Sequence, residues 1–107
     1  MLRYIFSVLA LITCLSAITF AATDMTVHQK GRVFSTEAIT VKKGEAVTFL
    51  NDDGIPHNIM SSSPGNAFNL GLQPPGAMTP VTFKEAGDVK VVCAIHPRMK
   101  MTVTVTD

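Results

Sequence analysis

The sequence is poor in cysteine, which limits what can hold the fold together. It has two cysteines in 107 residues, and one of them, Cys14, lies in an apolar N-terminal segment. Without that segment Cys93 has no internal disulfide partner, so it is either an inert core residue or a residue kept for chemistry. A mature domain of about 86 residues without disulfides is small for a stable core, and a bound metal would stabilise it.

The sequence also lacks an excess of charge of either sign. Its nine Lys and Arg and eight Asp and Glu give a formal net charge of +1. Removal of the N-terminal segment, which contains one arginine, brings the net charge close to zero. The sequence shows no run or patch of basic residues, so it lacks the signature of nucleic-acid binding.

The N-terminal segment has the layout of a secretory signal peptide. One arginine precedes an apolar run of roughly 19 residues, longer than the usual signal core of about 7–15, and small residues follow. The residues 19–21 predict cleavage after Ala21. An uncleaved membrane anchor is an alternative because of the length of the run, and a lipoprotein modified at Cys14 ranks last. Residues 1–21 are thus predicted to be the signal peptide, and residues 22–107 the folded domain of a periplasmic or otherwise secreted protein.

The mature sequence has the periodicity of β-strands and no window with that of a helix. Short runs that alternate apolar and polar residues are separated by Gly, Pro, Asn and Asp. Residues 61–76, rich in Ser, Pro, Gly and Asn, predict a long irregular connection. Several short strands at this spacing predict an all-β sandwich or barrel, with strands near residues 39–41, 47–49, 57–60, 81–83, 89–93 and 102–106.

A thiol, an imidazole and a thioether lie within seven residues near the C-terminus, at Cys93, His96 and Met99. Cys93 has the same strand parity as Val91, so it is expected to point into the core. His57 begins a predicted strand and is expected to point inward too, while His96 and Met99 are expected in the turn after Cys93. One thiolate, two imidazoles and a thioether match the donor set of blue-copper sites. Zinc prefers four strong ligands or three and a water, and calcium and magnesium prefer oxygen.

Two segments resemble the ligand segments of the cupredoxins, the family of blue copper proteins. GDVKVVCAIHPRM is similar to their ligand loop in its short C-x-x-H-x-x-M form, and NDDGIPHNIM is similar to their first-ligand segment, with its Pro-His-Asn core. The similarity runs from about Val27 to the C-terminus. It is greatest to the amicyanin and plastocyanin branch, particularly the small methylamine-utilisation and plastocyanin-like proteins.

The resemblance implies a cupredoxin-like Greek-key β-sandwich that binds one copper ion, Cu(I) or Cu(II). It implies that the ligands are His57, Cys93, His96 and Met99. It also implies that Asn58 braces the cysteine loop by hydrogen bonds.

Met101 is an alternative to Met99 as the axial ligand, because other family members have a longer loop. Met99 is favoured by counting back from the last strand. Met101 shares a strand face with Val103 and Val105 and is more simply a core residue. His28 has no motif around it and is interpreted as a surface histidine.

The resemblance implies one-electron shuttling between larger redox proteins, such as a dehydrogenase, a cytochrome or an oxidase. Electrons would pass through His96, within an apolar docking patch formed by Ile55, Pro56, Leu72, Pro74 and Pro97. Plastocyanins have a Tyr before the ligand Cys, near an acidic patch. Val92 occupies that position here and no acidic cluster is visible, which puts docking at that remote site in doubt.

A filled His₂CysMet site has no open position for a substrate, so the protein is predicted not to be an enzyme. It is predicted to be a monomer with transient partners and no nucleic-acid ligand. The alternative function is periplasmic copper delivery, buffering or tolerance. A structural zinc domain is disfavoured by the axial methionine.

Overall fold

The structure is a computed structural model that describes residues 13–16 and 25–107. The predicted signal peptide, residues 1–21, lies mostly outside the described residues and stays a prediction. Within the described ranges, no helix has the length and apolar character needed to cross a bilayer.

Nine β-strands make up the regular structure of residues 25–107. They alternate with short turns, as the periodicity of the sequence predicts. The strands are β1 Met25–Lys30, β2 Val33–Phe34, β3 Ala38–Lys42, β4 Ala46–Asn51, β5 His57–Ser61, β6 Phe68–Gln73, β7 Met78–Thr82, β8 Gly87–Cys93 and β9 His96–Thr106.

The strands form two sheets packed as a sandwich. One sheet has four strands in the order β2-β1-β4-β7, and the other has five in the order β3-β9-β8-β5-β6. The chain crosses between the sheets after β2, β3, β4, β6 and β7, and β1 pairs in parallel with β4 as β3 does with β9. The predicted all-β sandwich is confirmed for the residues that the structure describes.

The core lies between the two sheets and is built from the inward residues of alternating strands. In β8 the burial pattern alternates along Val89, Val91 and Cys93, each 1% exposed or less. The largest apolar side chains that are fully buried in the core are Phe49, Phe83, Ile59 and Met99. The parity argument that directed Cys93 inward is therefore correct.

Two local predictions were wrong. Residues 61–76 are not an irregular connection throughout, because β6 occupies Phe68–Gln73 and pairs with β5 at the edge of the sheet. Only Ala94 and Ile95 form the turn after Cys93, so His96 and Met99 lie in β9 itself. In the first case the Ser, Pro, Gly and Asn residues suggested a loop, but main-chain pairing with β5 prevails. In the second case the turn is shorter than expected, because His96 already pairs with Cys93.

Candidate metal centre

Three strand ends meet at one pole of the sandwich and bring three of the predicted ligands together. His57 is the first residue of β5, Cys93 the last of β8 and His96 the first of β9. The two-residue turn between β8 and β9 sets Cys93 opposite His96. His57 is 0% and Cys93 1% exposed, whereas His96 is half-buried.

The distances between these side chains fit a single shared ion. One potential ligand atom from each of His57, Cys93 and His96 lies within 4.8 Å of the other two. The Nδ1 atoms of the two histidines are 3.1 Å apart, and Cys93 Sγ is 3.7 Å from His96 Nδ1. Nitrogen and sulfur atoms that each lie about 2.0–2.3 Å from one ion are separated by roughly 3–4 Å. The side chains therefore fit a metal ion without rearrangement of the strands.

Asp53 determines which nitrogen of His57 is free to bind that ion. The Asp53 carboxylate oxygen Oδ2 is 2.5 Å from His57 Nε2, and the His57 side chain is 0% exposed. Because a carboxylate only accepts hydrogen bonds, the proton of the neutral imidazole lies on Nε2. His57 Nδ1 then carries a lone pair directed at His96 and Cys93. A carboxylate behind a histidine ligand fixes the ring and makes it a stronger donor.

The turn between β1 and β2 holds the Asp53 carboxylate in place. The N–H of Gly31 donates to Asp53 Oδ1 at 2.6 Å and that of Arg32 to Oδ2 at 3.1 Å. Both residues have left-handed backbone, with φ of 65° and 59°, as two-residue hairpin turns require.

Burial by itself raises the pKa of Asp53, but its hydrogen bonds and the nearby charge lower it by more. The hydrogen bond from His57, those from the Arg32 and Gly31 amides, and the electrostatic attraction of the His57 ring together lower the pKa from 3.8 to about 2. The sequence analysis missed Asp53, although a carboxylate four residues before the first histidine was a visible signal.

Asn58 connects the first-ligand strand to the cysteine turn. Its backbone N–H donates to Cys93 Sγ at 3.2 Å, which fixes the position of the sulfur. Its Oδ1 accepts the N–H of Ala94 at 3.1 Å. Its Nδ2 donates to Asn69 Oδ1 and to the Gly71 carbonyl, at 2.9 and 3.1 Å. These contacts are of the kind that the resemblance implies for Asn58.

Strand register distinguishes the two candidate methionines. Both are buried, Met99 at 1% and Met101 at 3% exposed, and both have the inward parity of β9. Met101 pairs regularly with Val91 of β8. In contrast, Val92 and Cys93 pair with Lys100 and His96, so the residues 97–99 between those partners bulge from the ladder beside Cys93. Met99 therefore lies at the level of the cysteine, and Met101 lies farther along the strand.

The residues predicted as the docking patch lie near this pole. Leu72 pairs with Asn58 across β5 and β6 and is 65% exposed. The buried Asn51 side chain donates through Nδ2 to the carbonyls of Ile55 and Gln73, at 3.0 Å each. It thereby ties the loop before His57 to the end of β6. Pro56, Pro74 and Pro97 are exposed.

Sequence reasoning missed Ile95 as a neighbour of this patch. It is 52% exposed and lies in the turn between Cys93 and His96. His28 lies outside the cluster: its Nδ1 is 2.5 Å from Asp52 Oδ2, and both side chains are 45% exposed. This placement agrees with the interpretation of His28 as a surface residue.

Comparison with known proteins agrees with the fold and the site. The family model described as copper binding proteins, plastocyanin/azurin family, matches residues 21–106. Plastocyanin of Scenedesmus fuscus is 35% identical over 83 residues, covering 69% of this chain and 85% of that protein. Methylamine utilization protein MauL of Methylorubrum extorquens is 36% identical over 64 residues, covering 59% of this chain. The matched part is 56% of the length of MauL.

The crystal structure of amicyanin from Paracoccus versutus superposes with a TM-score of 0.72. Its sequence identity is 28%, and the superposition covers 81% of this chain and 85% of amicyanin. The matching family model spans most of the sequence, and His57, Cys93 and His96 form a cluster compatible with copper. The chain therefore belongs to the plastocyanin/azurin family of copper-binding proteins, the cupredoxins.

Proposed function

We propose that this protein is a one-electron carrier that takes an electron from one redox protein and gives it to another. The observation that carries the proposal is the buried cluster of His57, Cys93 and His96, with ligand atoms within 4.8 Å of one another. Copper bound there supplies the redox couple, gaining one electron from a reduced donor and losing it to an oxidised acceptor.

The four proposed ligands are His57, Cys93, His96 and Met99, with Met101 as the less favoured axial alternative. A His₂Cys plane with a weak axial thioether is the donor set of copper electron-transfer sites. The protein holds its donors on three strand ends. A hydrogen bond from His57 to Asp53 and one from Asn58 to Cys93 brace two of them. Rigid donors limit rearrangement between the two oxidation states, and little rearrangement favours fast electron transfer.

Electrons are proposed to pass through His96, the half-buried ligand. The exposed or half-buried apolar side chains near it offer a surface without net charge. Such surfaces suit weak, short-lived encounters with a dehydrogenase, a cytochrome or an oxidase. The docking patch is proposed to comprise Ile55, Pro56, Leu72, Pro74 and Pro97, to which the exposed Ile95 is added.

The cellular setting is also part of the proposal. The N-terminal sequence supports secretion, with residues 1–21 as signal peptide and residues 22–107 as a monomeric domain in the periplasm or another extracytoplasmic space. Four filled ligand positions leave no coordination site for a substrate, which favours a carrier over an enzyme.

Electron self-exchange between the Cu(I) and Cu(II) forms of the mature protein tests this function. The broadening of NMR signals in mixtures of the two forms should show fast electron exchange through the docking patch. The protein should also retain its copper when a competing chelator is added. Slow exchange with ready copper loss would instead support copper delivery or buffering.

A pair of variants tests the docking patch. Leu72→Lys puts a charge in the patch, where two molecules meet during self-exchange, so exchange should slow at low salt. Thr40→Lys adds the same charge at an exposed residue of β3 that pairs with Thr104 and lies outside the patch. It should leave the exchange rate nearly unchanged, and equal effects of both variants would contradict the proposed route.

A further inference from the structure

We propose a second docking surface, separate from the apolar patch around His96, that receives an acidic protein partner. The surface is a groove of about 650 Å³ between the outer face of β8 and β9 and the segment from β2 to β3. Its rim carries three cations and one anion around an apolar floor. The residues that define this basic groove are Lys90, Arg98, Lys100, Glu37, Val33 and Val92.

The groove exists because the chain changes sheets between β2 and β3. β3 pairs with β9 from Thr102 to Thr106 and with no earlier residue of that strand. The N–H of Thr102 donates to the Glu37 carbonyl at 2.9 Å, where the pairing begins. Residues 97–101 of β9 are thus flanked by β8 on one side and by the groove on the other. This arrangement leaves a concave surface beside a strand that ends at the metal centre.

Charge is concentrated in the groove. Lys90, Arg98 and Lys100 against Glu37 give a net charge of +2, whereas the whole chain has a formal net charge of +1. All four are exposed, and none forms a salt bridge with another residue of the part of the chain that the structure describes. Their positive potential is therefore available to attract a negatively charged surface.

The floor of the groove provides apolar area at the centre of the charged rim. Val33 is 55% exposed, and Val92 is half-buried. An apolar centre surrounded by a polar rim is the general anatomy of protein interfaces. A concave groove fits a convex element with carboxylates around an apolar side chain, and it fits a flat lipid surface poorly. The geometry therefore favours an acidic protein over an anionic membrane.

The groove is directly connected to the proposed copper ligands. Val92, in its floor, is joined to Cys93 by one peptide bond, and Arg98 and Lys100 flank Met99 in sequence. A partner bound here would lie against the backbone of the cysteine strand, which offers a second route for the electron. This role rests on the proposed electron-carrier function, whereas binding of an acidic partner does not depend on it.

This surface is not visible as a basic cluster in the sequence, because its cations come from two strands. Lys90 lies ten residues before Lys100, but pairing sets Val92 opposite Lys100 and Lys90 opposite Thr102. The doubt about docking at the Val92 position arose because no acidic cluster is visible. The structure instead assigns a positively charged surface to that position.

An NMR titration with an acidic peptide tests the groove. The probe contains three glutamates on each side of one leucine, and its control has glutamine in place of every glutamate. Titrated into the ¹⁵N-labelled, Cu(I)-loaded mature protein at about 0.1 M salt, the acidic probe should shift amide signals of β8, β9 and residues 33–37. The glutamine peptide should shift them much less, and higher salt should weaken binding of the acidic probe.

Charge-reversal variants make the test specific. Lys90→Glu with Lys100→Glu should weaken binding at least tenfold. Lys43→Glu with Lys84→Glu makes the same change in net charge at exposed lysines outside the groove. This control should weaken binding less than threefold, because charges beyond about 10 Å are screened at this salt concentration.

Several results would overturn the proposal. One is that the two double variants weaken peptide binding equally. Another is that the peptide shifts only signals of the patch around His96. A third is that the protein binds anionic vesicles but not the peptide. Groove-dependent dimerisation in sedimentation analysis would instead assign the surface to a second copy of this chain. Because the titration measures binding alone, its result does not depend on whether the protein carries electrons.

Discussion

Replacing Asp53 by asparagine tests whether the protein itself fixes the proton on His57. The Asp53 carboxylate accepts hydrogen bonds from His57 Nε2 and from two backbone amides, at 2.5 to 3.1 Å, and its side chain is 13% exposed. Asparagine keeps the shape but removes the charge, and its NH₂ group replaces an acceptor facing these donors. We therefore expect both lower stability and weaker copper binding.

The stability effect follows from the pKa of Asp53, which is lowered from 3.8 to about 2. At 1.36 kcal/mol per pKa unit, this difference is worth roughly 2 kcal/mol in the copper-free protein. A carboxyl whose pKa is depressed in the folded state stabilises it above the unfolded pKa. That contribution is present above pH 4 and is lost as the pH falls from about 4 to about 2.

Urea unfolding of the copper-free protein at pH values from 7 to 2 measures this term. Asp53→Asn should lower the free energy of unfolding by roughly 2 kcal/mol at pH 7, and the wild type and variant should converge near pH 2. Asp52→Asn is the matched control, since its partner His28 and Asp52 itself are 45% exposed, and it should cost less than about 1 kcal/mol. Copper affinity should fall about 10–100-fold in Asp53→Asn only. Equal losses in the two variants, or a constant difference down to pH 2, would refute the reasoning.

Three further substitutions test other parts of the structure. Met99→Leu should shift the reduction potential with little effect on folding, whereas Met101→Leu should leave the potential unchanged and lower the stability by less than about 1.5 kcal/mol. Redox titration measures the potential and urea unfolding measures the stability. A shift of the potential in Met101→Leu alone would make Met101 the axial ligand. Asn58→Ala should destabilise the copper-free protein by about 1–3 kcal/mol, because buried partners lose their hydrogen bonds, and an unchanged unfolding midpoint would contradict this. Gly65→Ala should lower the melting temperature, because the added Cβ lies 2.7 Å from Glu85 Cγ at a backbone φ of +79°; an equal or higher value would show that the turn relaxes.

The convergence of three ligands could be predicted because it depends on strand parity and sequence order. Cys93 follows two inward valines in one strand, and His57 begins another. His96 follows Cys93 by only three residues, which leaves it little freedom relative to Cys93. These are local properties, which a single sequence carries.

The contribution of Asp53 could not be predicted because it depends on contacts across the fold. Its carboxylate is held by amides 21 and 22 residues earlier in the chain, which become neighbours only when β1 pairs with β4. The basic groove depends in the same way on pairing of β8 with β9 and on the crossing from β2 to β3. The strand β6 was missed for another reason: Phe68, Leu70 and Leu72 alternate, but the strand contains Gly71 and lies among turn residues.

The visible absorption spectrum of the copper-loaded mature protein tests most directly whether Cys93 and the two histidines bind copper together. The oxidised wild type should be intensely coloured, through charge transfer from the Cys93 thiolate to Cu(II), and should lose the colour on reduction. Cys93→Ser should have no such band. A wild type that holds one Cu(II) per chain without colour, or a Cys93→Ser variant that keeps the band, would contradict the proposed site.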